Sequence, residues 1–305
     1  MINKTISDVN WVGFSPVTFQ GTGLIVLGGN NTYSVDTTIA ENTRVQAKHS
    51  SAFGTSNVSM KNGSTLQFGT DNLILSNDLV LDSGSSGVPG SITIDTLNHP
   101  STLLKTIKET GDNVMKLIIK GKNILTFNNI ASHTGGTEVQ TETTLKLGLA
   151  NALATGPVNL SGTEATLDMT AASQNIPGLS GSNQSRVILG DNTLTLNQNS
   201  TFNGTFNSNA NGRVIVDGSS TLTLGGINSA PGTLQVNANS KTVMTLGATF
   251  APTTALDLAA AGATFDASAS GEDMTLSSLK GGTNTSFKWG NQSLMINEPS
   301  VFDGT

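Results

Sequence analysis

The stretch Leu189-Gly190-Asp191-Asn192-Thr193-Leu194-Thr195-Leu196-Asn197 is a short run of alternating apolar and polar residues bounded by turn formers. It returns 100 residues later as Trp289-Gly290-Asn291-Gln292-Ser293-Leu294-Met295-Ile296-Asn297. The register continues from Ser200-Thr201-Phe202-Asn203-Gly204-Thr205 to Ser300-Val301-Phe302-Asp303-Gly304-Thr305. The same shift carries Thr37, Val45, Ala52, Phe53 and Val58 onto Thr137, Leu145, Ala152, Leu153 and Val158. A third copy follows after 96 to 98 residues, with Ala165-Thr166-Leu167-Asp168 over Ala263-Thr264-Phe265-Asp266. The chain divides into three tandem units at about 19–118, 119–215 and 216–305. A long internal period is the mark of a repeat architecture.

Within each unit the apolar bursts last three to five residues and end in turns such as Asn62-Gly63 or Asp217-Gly218. That pattern predicts many short strands. Helix-period segments are nearly absent; the best candidate, Ser101 to Glu109 after Pro100, is short. Gly, Thr, Ser and Asn make up 140 of 305 residues and only 12% is charged, which removes coiled coils, helix bundles and ordinary disorder. Turns every seven or so residues give steps of ~20–25 residues, the length of one coil of a parallel β-helix. The fold class expected is all-β: a single parallel β-helix of roughly 13–15 coils, with Leu, Val, Ile and Phe stacked inward. Repeat mates such as Leu194 and Leu294, or Val58 and Val158, are expected in one inward column. The rival is a string of β-sandwiches, disfavoured by such short strands and by the lack of an immunoglobulin-type buried Trp in each unit. One Tyr and two Trp cannot build the girdles of a membrane barrel.

At these residues the chain resembles the passenger domains of bacterial autotransporters, through their passenger-associated β-strand repeat. Ile124-Leu125-Thr126-Phe127, His133-Thr134-Gly135-Gly136-Thr137 and Leu145-Lys146-Leu147-Gly148 follow its course. So do Asn151-Ala152-Leu153-Ala154-Thr155-Gly156-Pro157-Val158 and Ala165-Thr166-Leu167-Asp168. Pro231 replaces the first turn glycine of the third unit. The resemblance implies a right-handed β-helix, carried outside the cell by a C-terminal outer-membrane barrel. Met1-Ile2-Asn3-Lys4-Thr5 lacks the apolar region of a signal peptide, so the chain is expected to be a piece of a longer protein.

The chemistry legible in the residues is sparse. There is no cysteine, no Gly-x-Ser-x-Gly elbow, no phosphate loop and no His-x-x-x-His pair. His133 takes the place of Tyr33 and is expected to be an exposed turn residue, not a base; His49 and His99 carry no motif. Asp168 and Asp266 are repeat mates too distant to share a substrate, and Glu138, Glu142 and Glu164 read as solvated turns. No catalytic centre, metal or cofactor is expected. Lys105, Lys108, Lys116, Lys120 and Lys122 form the one basic cluster, relieved by Glu109 and Asp112. They are the candidate binding patch, set against a plainer role in keeping an apolar edge soluble. A net charge of -6 speaks against nucleic acid. The expected function is a non-catalytic, adhesive stalk of a surface-exposed or secreted protein. Its partners would be a host-cell protein or glycan, or further passengers. The alternatives are a polysaccharide-cleaving β-helix, with convergent acids on adjacent coils, and a trimeric phage tail-fibre segment.

Overall fold

The structure, a computed structural model, describes residues 2, 4–7, 15–84, 89–110, 114–153, 155–228 and 232–305. Met1, Asn3, Asp112, Ala154 and Pro231 lie outside the described residues. Two compact units divide at Gly156/Pro157.

In the first unit the chain winds over three faces. The first holds Leu24–Leu27, Arg44–Ala47, Thr65–Phe68, Gly90–Asp95, Met115–Lys120 and Thr137–Val139, in that order. The second holds Leu73–Leu75, Ser101–Leu103, Ile124–Phe127 and Thr144–Leu147. The third holds Val17–Phe19, Thr37–Ile39, Val58–Lys61, Leu79–Asp82 and Ile107–Thr110. All these pairings are parallel, so each strand meets its counterpart one full turn of chain later. On the first face the register passes from Leu24 to Arg44, Thr65, Thr93, Ile118 and Glu138. The steps into Thr93 and Ile118 are longer than the other three.

The second unit is wound alike and more evenly. One face runs Val158–Leu160, Leu179–Gly181, Ser200–Phe202, Thr221–Leu224, Lys241–Met244, Thr264–Asp266 and Ser286–Lys288. Its register passes from Asn159 to Ser180, Thr201, Thr223, Val243, Asp266 and Lys288, in steps of nearly equal length. Six coils in one unit and seven in the other make thirteen, the low end of the expected range. The fold is an all-β parallel β-helix.

Alternation explains the packing. In a strand successive side chains point to opposite faces, so Val45, Leu66, Ile94, Ile119 and Val139 stack inward, each fully buried. Leu194, Val214, Leu234, Leu256 and Leu279 do the same in the second unit. Each aliphatic side chain buried in such a column contributes about 1.5–3 kcal/mol. Outward positions are rich in Thr, Ser, Asn and Gln, with aliphatics such as Ile74, Ile118, Ile188 and Ile215 and paired charges among them. Where charges face each other across neighbouring coils they have opposite sign: Lys61 with Asp82, Asp95 with Lys120, Asp257 with Lys280, Asp266 with Lys288. Directly opposed like charges would destabilise the ladder.

Two expectations need correcting. Ser101 to Glu109 is not a helix but the strands Ser101–Leu103 and Ile107–Thr110, because Leu103 and Ile107 are each needed in an inward column. Tertiary pairing overrides weak local preference here. Repeat mates also do not share a column. Leu194 pairs with Val214, whereas Leu294 pairs with Met274 in another sheet and is half-buried. Val58 and Val158 are both fully buried, yet Val58 pairs with Thr37 and Leu79 and belongs to a different sheet from Val158. Between 31–53 and 131–153 the shift preserves which side chains point inward, but not the face.

Candidate functional site

The five lysines do not form one patch. Lys105 sits between the second and third faces of the first unit and Lys108 on the third face; both are exposed. Lys116 and Lys120 lie on the first face and Lys122 at the turn beyond it. Lys116 is ion-paired with Glu138, Lys120 with Asp95 at 3.9 Å and Lys122 with Glu142 at 2.9 Å. Each of these partners is about one coil away. Such half-exposed pairs are worth at most about 1 kcal/mol and chiefly neutralise the strand they decorate. Leu104 and Val114 stay exposed beside them.

The acids are likewise held singly. Asp168 accepts from the Thr170 backbone N–H at 3.0 Å and its hydroxyl at 2.7 Å; Asp266 makes the same pair of bonds to Ser268, at 3.3 and 2.7 Å. Each carboxylate closes its own turn, and the two lie in different sheets. The Ser268 hydroxyl, helped by Lys241, holds the Asp266 carboxyl below its ordinary range although burial opposes it. Glu164 meets Arg186 at 3.3 Å. Glu109 was read only as relief for the lysines, but its carboxylate accepts from the Thr134 hydroxyl (2.6 Å), the Thr134 N–H (3.0 Å) and the Met115 N–H (3.1 Å). It ties one coil to the next.

His133 is the clearest departure. It is 2% exposed, not an open turn residue, and Nε2 lies 2.9 Å from the Thr137 hydroxyl. Burial pushes its pKa down to about 4, against the opposing pull of the Glu109 carboxylate and the Gly136 backbone. Tyr33, fully buried at the matching corner, reaches Thr37 in the same way at 2.7 Å. The shared spacing, an aromatic ring with Thr four residues on, was the signal for burial in both copies. His99 pairs with Asp71 at 2.6 Å on the surface, and His49 Nδ1 accepts from the Ser51 N–H at 3.1 Å.

In the second unit a groove of about 440 Å³ runs across successive coils, with Ser208, Asn209, Thr233, Thr253 and Ser277 on its walls. Glu298 is its one carboxylate. Among the described residues no group of three His, Asp or Glu could hold a metal ion.

A parallel β-solenoid with polar outward columns, neutralised charges and shallow grooves defines the class of this protein. Comparison with protein-family models, curated proteins and solved structures gave no match for the chain.

Proposed function

We propose that the chain is a non-catalytic, adhesive stalk segment of a surface-exposed or secreted bacterial autotransporter passenger. The observation that carries this reading is the composition of the outward columns. Thr, Ser, Asn and Gln recur at the ~4.8 Å spacing of the coils, as in Gln46 with Gln67, Asn175 with Thr195 and Thr201 with Thr223, and charges are cancelled between neighbours. Such a surface offers many weak, repeated hydrogen-bonding positions, suited to an extended protein or glycan partner contacted over several coils. Of the five lysines, Lys105 and Lys108, exposed at and beside the third face, would meet an acidic partner first. The other three already face carboxylates.

Binding of the purified protein to host-cell surfaces and to immobilised glycans tests this. Adhesion should be retained by Asp168→Asn and lowered in a graded way by Lys105→Ala with Lys108→Ala. Glycan cleavage abolished by one carboxylate substitution would replace the stalk reading with that of a polysaccharide-degrading enzyme.

A further inference from the structure

The two copies of the repeat differ at one buried ring. Tyr33 and His133 stand at matching corners, both sealed from water and both hydrogen-bonded to the Thr four residues on. The His133 corner is closed from every side. Beneath it the Ile107–Thr110 strand supplies Glu109, whose carboxylate is occupied by Thr134 and Met115. Above it the Ala131 N–H donates to the Ala152 carbonyl at 2.8 Å, and the Thr155 hydroxyl donates to the His133 carbonyl at 2.9 Å. Ala152, Leu153 and Thr155 bring no ionisable group. On the Met115–Lys120 and Thr137–Val139 strands the charges are Lys116 and Glu138, paired with each other, and Lys120, paired with Asp95. Nδ1 of His133 has no hydrogen-bond partner among the described residues.

We propose that the His133 corner is an acid-sensitive release point in the first unit: protonation of the imidazole opens the coil around Ala131–Val139, while the Tyr33 corner stays shut. A neutral ring needs one partner and has it. An imidazolium carries a second N–H with no hydrogen-bond partner in the closed corner, and shutting its charge away from water outweighs what the Glu109 carboxylate and the Gly136 backbone return. Tyr33 has no charge to gain in acid, because burial moves its phenol still higher.

The sign follows from linkage. The folded-state pKa lies below that of a free histidine, so the unfolded or opened coil binds the proton first. Stability is present above pH ~6.5 and is lost as pH falls towards about 4. By pH 5 the opened form should gain about 30-fold relative to pH 8.

Hydrogen exchange of the whole chain, corrected for the intrinsic effect of pH, reads this directly. Amides of residues 131–139 should lose about 30-fold protection between pH 8 and pH 5, those of 31–39 far less. His133→Tyr should remove the loss, and Tyr33→His should transfer it to the first corner. Unchanged protection at 131–139 in the native chain, or an equal loss in His133→Tyr, would overturn the proposal. Should His133→Tyr fold poorly, the titration of the native His133 ring by NMR decides alone. A value near 4 supports the release point, and one above 6 overturns it.

Discussion

Residues 24–55 and 124–155, both in the first unit, carry the same local sequence course on different faces. Leu24–Leu27 and Arg44–Ala47 lie on the first face, but their mates Ile124–Phe127 and Thr144–Leu147 lie on the second. Thr37–Ile39 lies on the third face and Thr137–Val139 on the first. Four coils carry the chain from Leu24 to Ile118 in one column. Ile124, the repeat mate of Leu24, comes a few positions later, after the chain has turned one more corner. The repeat therefore encodes a corner and an inward–outward pattern. The face is set by the summed length of the intervening coils, including the longer steps from Thr65 to Thr93 and from Thr93 to Ile118.

If the two copies are energetically equivalent inside, Val45→Asp and Leu145→Asp should be equally damaging. Each places an unpaired carboxylate in a dry column, at a cost of several kcal/mol. Urea unfolding should show both, and a large gap between them would mean that one copy is loosely packed.

The corners should part on acidification. In the native chain about 3 kcal/mol of stability at His133 should disappear between pH ~6.5 and about 4, and thermal melts of His133→Tyr should lack this component. Position 135 separates the copies sterically. A Cβ at Gly135 would overlap the backbone of Met115 in the coil beneath, whereas its mate is already Val35. Gly135→Ala should cost about 1–3 kcal/mol in denaturant titrations.

The smallest difference lies at the turn of Asn42 and Glu142, both left-handed, with φ of 55° and 57°. Asn tolerates that conformation better than Glu. Glu142→Asn should raise stability by about 0.5 kcal/mol, because the exposed pair with Lys122 that it removes is worth little. A clear loss on melting would show that this ion pair matters more than its exposure suggests.

Much of the fold was legible in the chain. Period-two bursts such as Thr193-Leu194-Thr195-Leu196 mark strands and their inward residues without any knowledge of neighbours. What could not be read depends on residues one coil away. His133 is buried beneath Ala152 and Thr155 of the following coil, so its local sequence looks like a turn. Lys116, Lys120 and Lys122 look like a basic run until their partners Glu138, Asp95 and Glu142 are brought alongside. The stretch from Ser101 to Glu109 looks helical until two columns claim Leu103 and Ile107. Face assignment failed for the same reason, since it accumulates every loop length before it.

Disulfide mapping tests the winding most directly, because the native chain has no cysteine to interfere. Leu24, Arg44, Thr65 and Thr93 form one outward column, whose next member is Ile118. If the hundred-residue repeat fixed the column instead, the next member would be Ile124, the mate of Leu24. Neighbouring parallel strands lie ~4.8 Å apart, close enough for a disulfide. Under mild oxidation Thr93→Cys with Ile118→Cys should cross-link, and Thr93→Cys with Ile124→Cys should remain reduced. The opposite pattern would contradict the coil-by-coil register on which the whole account stands.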